Sequence, residues 1–212
     1  NYAITKKDGG FEIVKNTKTL SITSETQSWV YNGEEHTYEV YTVVYGDQTT
    51  TGTEGQKVFT LDGNDTVTIT STATAVKNVT AEDTANNNTF EYELSNAAGY
   101  QTPETTFGTL TVTARPITIT GTTIEEAIEY DGQTHSVDAY TYNEGTAEEE
   151  EGLLPTDTIT PAKVEKTGTE VGKYTQDIQG TEFTIKNGED DVTANYAITK
   201  KDGGFEIVKN TK

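Results

Sequence analysis

Strict alternation of apolar and hydroxylated residues runs through the chain. Leu20-Ser21-Ile22-Thr23, Val67-Thr68-Ile69-Thr70, Leu110-Thr111-Val112-Thr113 and Ile117-Thr118-Ile119-Thr120 each place an apolar side chain at every second position. Period two sends those side chains to one face of a β-sheet and the hydroxyls to the other. Thr makes up about a fifth of the chain; its β-branch favours extended backbone and its hydroxyl keeps an outer face wet. The pattern predicts strands throughout. Helical periodicity is nearly absent. Thr123 to Glu129 carries a Thr-x-x-Glu cap pattern but runs straight into the turn Tyr130-Asp131-Gly132. It is read as a strand or irregular edge, with one helical turn as the alternative.

Composition alone points the other way. Leu, Ile, Val and Phe together make up about 19% of the 212 residues, and the net charge is −20; below ~20% with a large charge is the signature of disorder. The ordering of residues overrides it, and twelve Tyr add core area that the tally omits. The chain is therefore read as folded and all-β, with thin cores and a polar surface. The acidic balance, 35 Asp and Glu against 15 Lys and Arg, argues against nucleic acid and anionic membranes, which need basic patches. Cys is absent, which excludes disulfides, thiolate zinc sites and a Cys nucleophile. No apolar run approaches the length of a membrane span, so no membrane insertion is expected in this segment. Met is absent too, as expected of a sequence that starts inside a longer chain.

The main signal is repetition. Residues 1–18, NYAITKKDGGFEIVKNTK, return unchanged as 195–212, a period of 194. A second, diverged repeat lies within the period. Tyr31-Asn32-Gly33-Glu34-Glu35-His36-Thr37 matches Tyr130-Asp131-Gly132-Gln133-Thr134-His135-Ser136, and Asp65-Thr66-Val67-Thr68 matches Asp157-Thr158-Ile159-Thr160. Tyr92 is paired with Tyr196, and Gly108 to Val112 with Gly204 to Val208. Two homologous domains are expected, 19–115 and 116–212, with 1–18 as the last two strands of a preceding copy. Asp8-Gly9-Gly10 predicts a hairpin of Tyr2 to Ile4 against Phe11 to Val14, and the same hairpin at 196–208. The junctions, Lys15 to Lys18 and Ala114-Arg115-Pro116, are brief and not of the flexible Gly/Ser kind, so quasi-linear stacking with little bending is expected.

The ordered signature is a Thr-rich opening strand, Tyr-Asp/Asn-Gly-x-x-His-Thr/Ser, then Asp191-Val192-Thr193-Ala194-Asn195-Tyr196-Ala197-Ile198 and a closing strand. It resembles the YDG/MBG-type repeat domains of large bacterial cell-surface adhesins over nearly the whole chain, twice. Residues 19–115 depart more: Asn32 replaces the Asp, and Asn86-Asn87-Asn88-Thr89 stands in place of the Asp-Val-Thr-Ala-Asn stretch. The resemblance implies a stalk or adhesive repeat at an extracellular cell surface or cell wall, and no catalytic residues. Asp191 to Tyr196 is read as a loop crossing between sheets, with a Tyr whose hydroxyl bonds back to it, as in the tyrosine corner of Ig-like sandwiches. Two tandem Ig-like β-sandwich domains follow, with a β-grasp-like sheet as the alternative.

Candidate chemistry is sparse. His36 and His135, the only two histidines, hold equivalent positions and are read as residues contacting their own turns. No phosphate loop or Ser-His-Asp constellation exists, and no enzyme is expected. No cofactor is expected beyond weak calcium, whose candidate ligands are Asp62, Asn64 and Asp65 in one turn and Glu189, Asp190 and Asp191 in another, all hard oxygen donors. Glu148 to Glu151 reads as a solvated loop face, with a cation site as the sharper alternative. By analogy with covalently closed surface β-domains, Lys173 and Lys186 are candidates for a side-chain cross-link. Three function classes remain: a stiff spacer in a surface fibre, an adhesive module binding host glycan or protein, and the subunit of a strand-exchanged filament. Expected partners are neighbouring copies of the same repeat.

Overall fold

The computed structural model describes residues 2–212 and is all-β. In chain order the strands are β1 (Leu20–Ser24), β2 (Gln27–Val30), β3 (Tyr41–Tyr45), β4 (Gln48–Thr51), β5 (Val58–Thr60), β6 (Thr66–Ser71), β7 (Phe90–Leu94), β8 (Glu104–Thr106) and β9 (Leu110–Thr113). After Ala114 come β10 (Arg115–Gly121), β11 (Ile128–Glu129), β12 (His135–Val137), β13 (Tyr140–Tyr142), β14 (Asp157–Thr160) and β15 (Lys166–Gly168). The last are β16 (Gly172–Gln176), β17 (Thr184–Asn187), β18 (Asp190–Asp191), β19 (Tyr196–Lys201) and β20 (Gly203–Val208). Helical structure among the described residues is limited to two 3-10 turns, Ala97–Gly99 and Thr193–Asn195. Thr123 to Glu129 is an irregular edge ending in β11.

The chain forms two compact units. One holds residues up to Gln27, Thr37–Thr74 and Asp83–Leu110; the other holds Ser28–His36, Ala75–Glu82 and Thr111–Lys212. The units do not follow the sequence repeats at 19–115 and 116–212. Two segments of the first repeat belong to the second unit because their polar groups are satisfied there. Tyr31 N–H donates to Thr113 O, Val79 N–H donates to Asn195 Oδ1, and Asn195 Nδ2 donates to Asn78 Oδ1.

In the first unit one sheet runs β4-β3-β1-β8 and another β5-β6-β7. Burial follows the alternation: Leu20 and Ile22, Tyr41, Val43 and Tyr45, and Val67 and Ile69 all face one core. Aromatic edges knit it, with Phe90 against Tyr41 at 5.6 Å and against Phe107 at 5.1 Å. On the outer face Thr42 and Thr51 share a hydroxyl hydrogen bond of 2.8 Å, the cross-strand pairing expected of a Thr-rich sheet.

The second unit repeats this plan around β10, which pairs antiparallel with β13 and parallel with β19. In the first unit β1 pairs antiparallel with β3 and parallel with β8 in the same way. The closing strand β20 lies in a different sheet, between β11 and β16. The hairpin expected at 196–208 is therefore not formed. Asp202-Gly203-Gly204 is a corner at which the chain changes sheets. A Cβ on Gly203 would stand 2.3 Å from Thr122 O, and one on Gly108 would stand 2.4 Å from Glu25 O. These close approaches make Gly108 the counterpart of Gly203, one residue off the sequence alignment. Opposite each glycine sits a buried side-chain amide. Asn88 Nδ2 donates to Glu25 O and Tyr38 O, and Gln176 Nε2 donates to Ala139 O and Val164 O.

The pairing of Tyr92 with Tyr196 is also corrected. Tyr92 lies inside β7, whereas Tyr100 follows a 3-10 turn as Tyr196 does. Their hydroxyls donate to Asp65 and Asp157, the aspartates that the repeat had already matched. Tyr31 and Tyr130 occupy unlike surroundings, Tyr31 being buried and Tyr130 exposed.

The hairpin expected at residues 1–16 is absent. Asn1 lies outside the described residues; residues 2–17 hold no strand, and Tyr2, Ile4, Phe11, Ile13 and Val14 are exposed. The identical residues 196–208 are strands because β10, β16 and β11 accept their backbone. In the first unit the corresponding edge of β1 is taken by β8, and a lone two-stranded hairpin is marginal in water.

Gly203 and Gly9 share one sequence context but not one environment, since nothing lies within 4 Å of a Cβ on Gly9. Gly203→Ala is expected to cost about 1–3 kcal/mol and Gly9→Ala almost nothing, read by urea unfolding. Equal effects would mean that the corner does not depend on the close approach.

Candidate functional site

Arg115 is the only arginine of the chain. It opens β10, stands in register with Tyr196 of β19, and is 0% exposed. Its Nε donates to Gly152 O at 2.6 Å. Nη1 donates to Tyr31 O at 3.3 Å and Glu149 O at 2.6 Å. Nη2 donates to Thr146 O at 2.8 Å and Glu151 O at 2.5 Å. A guanidinium has five N–H donors, so every one is spent on a backbone carbonyl. The loop closes by Gly145 N–H to Leu153 O and by Thr146 N–H to the Glu149 carboxylate. Gly145 is required at this corner, because a Cβ there would lie 1.9 Å from Glu151 O. Glu148 to Glu151 are all exposed, and of their carboxylates Glu149's is the one tied back to the loop. The acidic run is thus a solvated face whose carbonyls enclose a cation that the protein itself supplies.

Asp157 lies beside this loop. Tyr196 Oη donates to Asp157 Oδ2 at 2.6 Å, and Asn187 Nδ2 donates to Oδ1 at 2.7 Å. Leu154 N–H donates to the Tyr196 oxygen at 3.2 Å. The hydroxyl expected to bond back to its own loop instead reaches Asp157. Burial, then the Asp157 carboxylate, pushes the Tyr196 hydroxyl above the usual tyrosine range. The Tyr31 ring meets the Tyr196 ring edge-on at 5.6 Å. A cavity of about 540 Å³ opens here, lined by Tyr142, Glu144, Glu149, Leu153, Leu154 and Asp157 among others. The first unit repeats the polar set: Tyr100 Oη and Asn96 Nδ2 donate to Asp65 at 3.0 and 3.2 Å.

The calcium candidates are engaged by protein donors or dispersed in solvent. Asp62 accepts from the Tyr45 hydroxyl, from Asn16 Nδ2 at 2.7 Å and from Lys18 Nζ at 3.1 Å. The Tyr45 hydrogen bond, then Lys18, holds its carboxyl below the usual range, and burial with the Asp62 contact raises Tyr45. Asp65 serves Tyr100 and Asn96, while Asn64 is exposed in the β5–β6 turn. Glu189 and Asp190 are exposed, and Asp191 caps Thr193 N–H at 3.0 Å. No three His, Asp or Glu among the described residues gather to hold a metal. His36 Nε2 meets Asn32 Oδ1 at 2.9 Å, and His135 Nε2 meets Asp131 Oδ1 at 3.0 Å; each contacts its own turn. Lys173 and Lys186 are exposed, unlike the buried lysine that a side-chain cross-link needs.

Sequence reasoning met Arg115 only as the residue before Pro116. Its uniqueness among 15 basic residues was the available signal, since a planar five-donor fork suits several carbonyls at once. Asp157 was matched to Asp65 as a repeat letter, without its role as an acceptor. The arrangement holds a loop and two sheets together; it presents no free guanidinium N–H to a ligand.

Arg115→Lys retains the charge but supplies three donors for five carbonyls. Two orphaned acceptors at about 1–3 kcal/mol each should destabilise the second unit by roughly 2–6 kcal/mol, measured by urea unfolding. An unchanged midpoint would show that the cage adds nothing.

The pH limits follow from the shifted groups. Asp62 is depressed, so its contribution is full above the unfolded value of ~3.9 and is lost as pH falls through the folded one. Tyr196 is raised, so its contribution is full below ~10 and is lost as pH rises through its folded value. Denaturation across pH should show Asp62→Asn flattening the acid limb and Tyr196→Phe the alkaline limb. Tyr196→Phe should also cost about 1–3 kcal/mol at neutral pH, because Asp157 loses a buried donor.

Set beside known protein families, curated proteins and solved structures, the chain matches none of them.

Proposed function

We propose that this chain is a tandem-repeat segment of a bacterial cell-surface adhesin or fibre, acting as a stiff extended spacer. The observation that carries the reading is the unchanged return of residues 1–18 as 195–212, a period of 194 residues. The polar chemistry supports it. Arg115, Asp157, Asp65, Asn88 and Gln176 are all committed to holding backbone and strands. Each repeat is read as an Ig-like sandwich, on the strength of a Tyr that follows a sheet-to-sheet crossing in both. Among the described residues no helix is long and apolar enough to cross a membrane. The acidic surface would keep neighbouring fibres apart and soluble.

Chains of one, two and three periods, compared by small-angle X-ray scattering, test the spacer. The maximum dimension should rise by an equal step with each period and change little with added salt, which screens charges beyond ~8 Å at physiological strength. A dimension that grows as a compact globule or a Gaussian coil would overturn the reading. A large contraction in salt would mean that charge repulsion rather than the junctions keeps the array extended.

A further inference from the structure

Residues 1–18 and 195–212 are the same sequence in two states. In the second copy Tyr196, Phe205 and Ile207 are 6%, 5% and 1% exposed. In the first, Tyr2, Phe11 and Ile13 are 98%, 90% and 86% exposed, and Ile4 and Val14 are also in solvent. A segment that has a complete docking site elsewhere in the same chain is left uncovered.

We infer that residues 2–14 are a strand donor for a second copy of this chain, and that their docking site is the groove between β10, β16 and β11 that residues 196–208 fill within their own chain. The register is set by identity. Ile198 stands opposite Ile117 and Phe205 opposite Tyr174, so Ile4 and Phe11 of the donor take those places. Ile13 replaces Ile207, which lies beside Ile128 and Gly172.

Because the side chains are the same, the contacts are equal in strength and the tether decides the outcome. An intramolecular segment acts at an effective concentration of ~mM, so at micromolar protein each chain closes its own groove. The donor wins where the acceptor's own closing strands are weakened. Donor and groove are different surfaces of one copy, so association is head-to-tail, giving a ring where the rotation closes and an open chain where it does not. The inference rests on the duplicated segment and its two environments, not on the cell-surface reading, and stands or falls separately from it.

The test uses the full chain carrying Ile207→Asp, which puts a carboxylate where the side chain is almost wholly buried and so disables the resident strands. Light scattering after gel filtration should find the wild type monomeric. The Ile207→Asp chain should form oligomers that grow with concentration and disappear when Ile13→Asp is added. A fluorescein-labelled peptide of residues 1–18 should bind Ile207→Asp and restore its near-UV ellipticity, while a scrambled peptide does neither. Phe205→Ala, which leaves a cavity instead of a buried charge, should capture the peptide more than the wild type does. Oligomers that persist in Ile13→Asp/Ile207→Asp would overturn the inference, as would a folded Phe205→Ala chain or an Ile207→Asp chain that captures no peptide.

Discussion

A buried guanidinium whose five N–H groups all end on carbonyl oxygens fixes the second unit. Arg115 binds Tyr31 from one segment and Thr146, Glu149, Glu151 and Gly152 from one loop. A fully buried charge is costly unless its donors are satisfied. The loop cannot open and Tyr31 cannot leave without orphaning that charge. Through the β10–β19 register the same residue sits beside Tyr196, whose hydroxyl takes up Asp157. One cation therefore organises an acidic loop, a neighbouring segment and the entrance to the core.

The two repeats are alike at their polar anchors more than in their letters. An Asp receives a Tyr hydroxyl and an Asn amide in both, as Asp65 with Tyr100 and Asn96 and as Asp157 with Tyr196 and Asn187. A buried amide faces a crowded glycine in both, as Asn88 with Gly108 and Gln176 with Gly203. Thin apolar cores gain uniqueness from such fully satisfied networks, since a half-satisfied one would cost more than it contributes.

Much of the architecture was legible in the sequence. Period-two alternation placed β1, β6, β9 and β10 and named their inward residues, because strand side chains alternate whatever they pack against. The match of Asp65 to Asp157 was visible. The match of Tyr100 to Tyr196 was not, because a tyrosine at Tyr92 offered a closer run of letters and only the hydroxyl's partner distinguishes them. Of the Arg115 cage, only the arginine's uniqueness was visible in the sequence. The cage is built from carbonyls, which every residue carries, and from the way a distant loop folds over.

Residues 16–18 and 210–212 show the division most plainly. In both copies the asparagine side chain accepts from the backbone N–H two residues on, Lys18 N–H to Asn16 and Lys212 N–H to Asn210, each at 2.9 Å. That turn is local, so identical sequence determines it twice. The strands before it are not local. Their backbone groups need β10, β16 and β11 as partners: the sequence lies in strands at β19 and β20, where those edges stand open, and in none over residues 2–14, with β8 already holding the corresponding edge of β1. Sequence determined the turns and which face of each strand is apolar; tertiary structure decided whether the strand exists, because a strand's hydrogen bonds belong to its neighbours.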